Sequence, residues 1–114
     1  MSDRIKKFIA QREKLNSKIL ARDNINIKRF FGIDSAVYRE GALDCKTKEL
    51  LGLVASAVLR CDDCVTYHLT RCAEVGVNDA EMDEALSVAL VAGGSITIPH
   101  LRRAVDLWEE LQQG

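Results

Sequence analysis

Cys61, Cys64 and His68 stand in one short stretch, Arg60-Cys61-Asp62-Asp63-Cys64-Val65-Thr66-Tyr67-His68, with the spacing Cys-x-x-Cys-x-x-x-His. Glu49 lies twelve residues before Cys61. A pair of thiols, an imidazole and a carboxylate are the parts that thiol–disulfide or peroxide chemistry needs. The thiolate reacts, a nearby base generates it, and a third group orients the base.

Helical backbone brings these groups together. If Cys61 to Val75 is a helix, Cys64 and His68 are i and i+4 and share a face. Cys61 precedes Cys64 by one turn, within reach of a disulfide at a helix start, and Cys72 continues the face one turn past His68. A helix N-terminus and an adjacent imidazole both lower a thiol pKa, while Asp62 and Asp63 push the other way unless they point outward. Glu49 orients His68 only if its helix folds back against the cysteine helix. By the helix-end argument alone, Cys61 is the nucleophile; by the local-base argument, it is Cys64.

Two other uses of these residues compete. Cys61, Cys64, His68 and Cys72 have a superficial zinc-knuckle spacing, but in a continuous helix they spread over roughly 16 Å at about 1.5 Å per residue. Zinc draws its ligands to about 2.0–2.3 Å, and no glycine loosens the run between Cys64 and Cys72. Neither a metal nor another cofactor is therefore expected. Cysteines also serve as small core residues, and that is the expectation for Cys45 and Cys72. His100, beside Pro99, is expected to cap or pack at a helix start. Tyr67 is expected to face away from Cys64 and pack. Arg102 and Arg103 read as ion-pair residues.

Composition narrows the class. The chain has 114 residues, 47% apolar and 29% charged, which suits one domain (1–114) with a single core. Sixteen basic and 17 acidic residues leave a net charge of −1, so no nucleic-acid surface is expected. Lys6, Lys7, Arg12, Lys14 and Lys18 read as a solvated helix face. The N-terminal Met-Ser-Asp-Arg-Ile-Lys-Lys lacks the apolar centre of a secretion signal. The run Val88 to Pro99 is too short and glycine-rich to span a bilayer. A cytoplasmic protein with no membrane partner is expected, and in a reducing cytosol a cysteine pair points to catalysis or metal binding rather than a structural disulfide.

The periodicity predicts an all-α chain of five or six helices. The first runs from about Asp3 to Ala21, capped by Ser2, with Ile5, Phe8, Ile9, Leu15, Ile19 and Leu20 as its stripe. Asn24-Ile25-Asn26 reads as an interruption, with a loop or short turn through Gly32. A short helix carrying Ala36, Val37 and Tyr38, capped by Asp34, follows it. Asp44 caps a helix from Cys45 to about Arg60 that buries Leu50, Leu51, Val54, Ala55 and Val58. A break near Cys61 starts the cysteine helix, which Gly76 closes. Asn78-Asp79-Ala80-Glu81 resembles a capping box and opens a helix ending at Gly93-Gly94. The last helix runs from Ser95 or Pro99 to Gln112 on Leu101, Ala104, Val105, Trp108 and Leu111.

Glu49, the Cys61-Asp62-Asp63-Cys64 run, His68 and the later Gly93-Gly94 resemble the carboxymuconolactone decarboxylase-like superfamily. Within it the pattern resembles the alkylhydroperoxidase D-like branch, over about Leu43 to Ala104. The resemblance implies a helical fold that assembles into trimers or hexamers and a peroxide-reducing thiol mechanism. In that mechanism Cys64 is deprotonated through His68 backed by Glu49, attacks the hydroperoxide and becomes a sulfenic acid. Cys61 then resolves it as a disulfide, which a dithiol or lipoyl-type donor reduces. One position departs from the pattern: the characterised peroxidases have a second histidine just before the second cysteine, where this chain has Asp63. That leaves two alternatives beside hydroperoxide reduction: a general disulfide reductase or redox-sensing module, and a lactone enzyme in which His68 and Glu49 act as acid and base.

Overall fold

The computed structural model describes residues 2–113 and consists of helices joined by short turns. They are α1 (Asp3–Leu20), α2 (Ile25–Val37), α3 (Cys45–Val58), α4 (Asp62–Glu74), α5 (Asp79–Gly93) and α6 (Ile98–Gln113), with a 3-10 turn at Ser95–Thr97. No strand is present among the described residues. The all-α expectation therefore holds, with six helices.

Local chemistry explains most of the boundaries. Ser2, Asp44 and Asn78 each place a side-chain oxygen on a first-turn N–H of α1, α3 and α5. Asn78 and Glu81 complete a reciprocal capping box. Gly76, at φ +83°, closes α4, with Val77 N–H donating to Cys72 O and Gly76 N–H to Ala73 O. That pair of bonds is the Schellman pattern. The same pattern closes α3, from Cys61 N–H to Ser56 O and Arg60 N–H to Ala57 O. There Arg60 occupies the left-handed position, at φ 61°, without a glycine's freedom. The sharp reversal at Arg60 makes the break before Cys61.

Two expectations change. The stretch read as a loop through Gly32 followed by a short helix is the continuous helix α2. Asn24, read as an interruption, is its cap, its side chain accepting from Asn26 and Ile27 N–H. The second change concerns α3. Its fully buried face is Glu49, Gly52, Leu53, Ser56 and Ala57; of the expected set, Leu50, Val54 and Val58 pack half-buried against the core, while Leu51 and Ala55 are exposed. Leu51 and Leu59 are exposed, as are Val88 and Val91 on α5, the last at 88%.

The core lies among α3, α4, α5 and α6. Helix α3 packs on α4 and α5, and α4 also packs on α6. Leu53, Leu69, Cys72, Met82, Ala89, Ala104 and Trp108 fill the space, and Trp108 Nε1–H donates to Asp79 at 2.8 Å. Only the first part of α1 joins them. Ile5 is fully buried, while Leu15 and Ile19 further along are exposed. Helix α2 buries no residue completely and exposes Ile25, Phe30, Ile33 and Val37. It is tied to α3 at its end, where Lys48 Nζ donates to Val37 O at 2.8 Å and Arg39 O at 2.7 Å. The radius of gyration, 14.6 Å, exceeds the roughly 13 Å of a compact chain of this length, as outlying α1 and α2 require. Among the described residues no helix is long and apolar enough to cross a membrane.

Candidate functional site

The packing of α3 against α4 brings Glu49 to His68. Glu49 is 1% exposed, and its Oε2 lies 2.9 Å from His68 Nδ1. Its other oxygen is 3.5 Å from Arg71 Nε. Arg71, one turn after His68, also pairs with Glu74. With an Nδ1–H donated to Glu49, the Nε2 lone pair is left for use as a base. The fold-back that Glu49 needed is present.

His68 is held on its other sides by aromatic rings and by a missing side chain. Tyr38 and Tyr67 lie with ring centroids 5.3 and 5.2 Å from the imidazole. A Cβ on Gly52 would stand 2.7 Å from His68 Cε1 and 2.7 Å from Tyr38 Oη. Only glycine on α3 lets the imidazole and the phenol come that close. Burial is the main reason the Tyr38 phenol is held above its ordinary pKa; the charges of Asp34 and Glu49 add to it. The hydroxyl therefore stays protonated as a donor.

The cysteines sit at the start of α4. Cys61 takes the cap position, and its Sγ accepts the Cys64 N–H at 3.3 Å. The helix-end amide thus points at the sulfur of Cys61, and Cys64 receives none of that stabilisation. The Cys64 thiol is pushed up, to about 11. Its hydrogen bond with Cys61 is the main cause, followed by burial and by the charges of Cys61 and Asp63, Asp63 acting in the direction expected of it; Arg12 opposes them. Cys64 and His68 line one cavity of about 650 Å³ between α1 and α4, with Tyr67, Phe8 and Arg12 among its walls. No hydrogen bond joins Cys64 Sγ to His68, so a proton would pass between them through a water in the cavity.

Tyr67 departs from its expected role. It lines the cavity with Cys64 and carries the Arg12 guanidinium 3.8 Å above its ring. Arg12, half-buried, accordingly leaves the solvated basic face and becomes a cavity wall, while Lys7 stays exposed at the cavity's edge. Cys72 is fully buried in the core, as expected, and Cys45 is half-buried. His100 does pack at a helix start. Its Nδ1 lies 2.7 Å from Asp62 Oδ1, and Arg103 Nε lies 3.2 Å from Asp62 Oδ2. Together they fasten the first residue of α4 to α6. Among the described residues no cluster of three His, Cys, Asp or Glu side chains is placed to hold a metal ion.

Sequence reasoning missed Tyr38, Gly52, Arg12 and Arg71. A single residue in α4 gave one usable signal: Arg71 lies three after His68 and so shares its face. The others come from separate helices, and nothing local announces them.

Comparison with known proteins places this architecture. TM1620 of Thermotoga maritima, in two crystal structures, is 64% and 63% identical with TM-scores of 0.93 and 0.90. The two alignments cover 95% and 94% of this chain, and 95% and 91% of the other. It has been described as a carboxymuconolactone decarboxylase family protein with a suggested part in the antioxidative response. The fold is shared at 24% identity with lpg0406 of Legionella pneumophila, with a TM-score of 0.86 over 96% of this chain and 98% of that one. An uncharacterised protein encoded in the cox locus of Paracoccus denitrificans is 26% identical over 82 residues, 72% of this chain and 74% of its own length. Residues 27–107, from α2 into α6, match a single family description, and the chain belongs to the carboxymuconolactone decarboxylase family.

Proposed function

We propose that the protein is a thiol-dependent hydroperoxide reductase that works through Cys61 and Cys64. The observation that carries this reading is the buried Glu49–His68 pair beside a cavity that also exposes Cys64, with Cys61 Sγ one helical turn away. The antioxidative role suggested for the Thermotoga maritima relative supports the same chemistry.

His68 Nε2 takes the Cys64 proton through a cavity water while Glu49 stabilises the imidazolium. The thiolate attacks the outer oxygen of the hydroperoxide. The O–O bond breaks, the alkoxide leaves with the proton held by His68, and Cys64 becomes a sulfenic acid. The Cys61 thiol attacks that sulfur, water leaves, and a disulfide forms. A dithiol donor such as a lipoyl group then reduces it by exchange, giving back two thiols and becoming a disulfide itself. The exposed apolar side chains of α2, α3 and α5, Phe30, Ile33, Leu51 and Val91 among them, are surface that a homo-oligomer would cover, and the trimer or hexamer that the sequence resemblance implies is the assembly proposed.

One observation favours a second reading. The sulfur that accepts the helix-end N–H is that of Cys61, which suits attack by Cys61 on a disulfide substrate, as in a general disulfide reductase or redox-sensing module. Hydroperoxide consumption with lipoyl and other dithiol donors separates the two. The peroxidase consumes an organic hydroperoxide, Cys64→Ser abolishes this, and Cys61→Ser leaves a sulfenic acid on Cys64 that dimedone traps. Absence of consumption with every dithiol donor refutes the peroxidase. Lactone turnover that survives loss of both cysteines would instead assign Glu49 and His68 to acid–base chemistry alone.

A further inference from the structure

We propose that Arg12 supplies the positive charge that holds the Cys64 thiolate, and that Tyr67 is the residue that positions it. The inference rests on the reading of Cys64 as the attacking thiol and assigns a group that this reading left open. A resident cation would favour the Cys64 thiolate, because before His68 takes up the proton the neighbouring groups on α4 oppose it. Cys61 presents its sulfur to the same first turn, and Asp63, next in the chain, brings a negative charge to the cavity wall. His68 is already hydrogen-bonded through Nδ1 to Glu49 and has no bond to Cys64.

The charged and titratable groups facing the sulfur can be taken helix by helix. Helix α2 contributes Asp34 and the Tyr38 phenol, and α3 contributes Glu49 behind the imidazole. None of these is a cation. The cations in the wall come from α1. Arg4 is engaged with Asp106 and with Glu110, at 3.4 and 2.5 Å. Lys7 is an exposed ammonium on a flexible stem. Arg12 differs from both. Its guanidinium carbon lies 3.8 Å from the centroid of the Tyr67 ring, over its face, and no carboxylate among the described residues is within ion-pair distance of it. A stacked guanidinium keeps its N–H donors free around the rim. Tyr67 is three residues after Cys64, so the two side chains are neighbours on one helix face. The ring thus holds an unpaired cation in the wall of the cavity that Cys64 lines. The direction of the Arg12 influence on Cys64 agrees, since it is the one favourable charge acting on that thiol.

The test is site-resolved alkylation of the reduced protein from pH 7 to 11, with iodoacetamide as probe and mass spectrometry reporting Cys64 alone. An opposite charge that reaches within about 4–6 Å of a thiolate shifts it by about one unit at the low end of the usual range. In Arg12→Ala the Cys64 profile should therefore move to higher pH, with alkylation at neutral pH roughly tenfold slower. Arg12→Gln, which keeps a polar side chain on the helix, should behave like Arg12→Ala, and Arg12→Lys should recover part of the loss. Tyr67→Leu should reproduce part of the shift while the arginine is present, because an unheld guanidinium spends its time in solvent. Lys14→Ala removes the same charge from the exposed side of α1 and should leave the profile at wild type. The assignment is overturned if the Arg12→Gln profile superimposes on wild type, or if Lys14→Ala shifts it equally. If wild type consumes no hydroperoxide but the alkylation difference is present, the peroxidase reading fails and the Arg12 assignment stands. If hydroperoxide is consumed and the difference is absent, the reverse holds.

Discussion

Alanine at position 52 would set two opposing effects against each other. Within a helix, Gly→Ala stabilises by about 1 kcal/mol, and on α3 that gain is available. The new methyl, however, would stand 2.7 Å from His68 Cε1, 2.9 Å from His68 Nε2 and 2.7 Å from Tyr38 Oη. Carbon contacts settle at about 3.5–4.0 Å, so the imidazole would have to retreat by roughly 1 Å. Tyr38 is half-buried at the end of α2 and can swing aside. His68 cannot move without leaving Glu49, which is held at 2.9 Å and is itself pinned by burial and by Arg71. Overpacking of this kind costs about 1–3 kcal/mol, so the net effect should be a loss of about 0–2 kcal/mol. The effect on turnover should be much larger, because a 1 Å displacement of a catalytic group costs about 100-fold. Denaturant midpoints and hydroperoxide consumption, measured on the same Gly52→Ala preparation, give the two numbers. A variant that gains about 1 kcal/mol and keeps full turnover would refute the claim that Gly52 exists to admit His68.

Glu49→Gln keeps the shape of the carboxylate but removes the charge behind the imidazole, and should lower turnover by about 10²–10⁴-fold with the far-ultraviolet helical spectrum unchanged; wild-type turnover would remove Glu49 from the mechanism. The Cys72 thiol is pushed up from 9.0 to about 12, mainly by burial and then by the charge of Glu49. Its native form stays neutral while the unfolded chain ionises, so the stability it contributes is whole below about pH 9 and is lost as pH rises towards 12. The span amounts to something on the order of 4 kcal/mol. Stability-against-pH curves for Cys72→Ala should be flatter across that window; parallel curves would contradict the burial argument. Phe30, 69% exposed on α2, should lie in the contact between copies. Phe30→Glu should weaken association about 10- to 100-fold, from the roughly 2 kcal/mol of a buried phenylalanine, as followed by sedimentation velocity. Unchanged association would move the contact to the α3 and α5 faces.

The legible parts of the fold were those set by short-range chemistry. Asp44, Asn78 and Gly76 act within a few residues of themselves, and each marked the boundary it forms. Cys64 and His68 could be paired because helical spacing alone puts them on one wall. Asn24 was misread because a cap and a breaker have the same local chemistry. Only the residues that follow decide between them, and the apolar residues of α2 find no core in this chain to reveal their helix. The buried face of α3 was misjudged for a related reason. Leu50, Val54 and Val58 pack only at the edge of the core, Leu51 and Ala55 are exposed, and the innermost face combines Leu53 and Ala57 with a carboxylate, a glycine and a serine. Tyr67, Arg12 and Tyr38 meet only through the packing of separate helices, which no spacing along the chain encodes. The helix-end argument points to Cys61 and the local-base argument to Cys64, and spacing alone does not decide between the two sulfurs. In the structure the amide goes to Cys61.

The cap at Cys61 makes the first turn of α4 a built-in reporter of sulfur chemistry. The Cys64 backbone N–H has that one sulfur as its acceptor, at a position where serine or aspartate would ordinarily supply an oxygen. Any event at Cys61, whether disulfide formation, alkylation or capture of a soft metal, changes the acceptor and so moves the amide proton and nitrogen resonances of Cys64. A single backbone cross-peak of isotope-enriched protein can therefore follow the state of the pair in real time without dye, substrate or coupled enzyme.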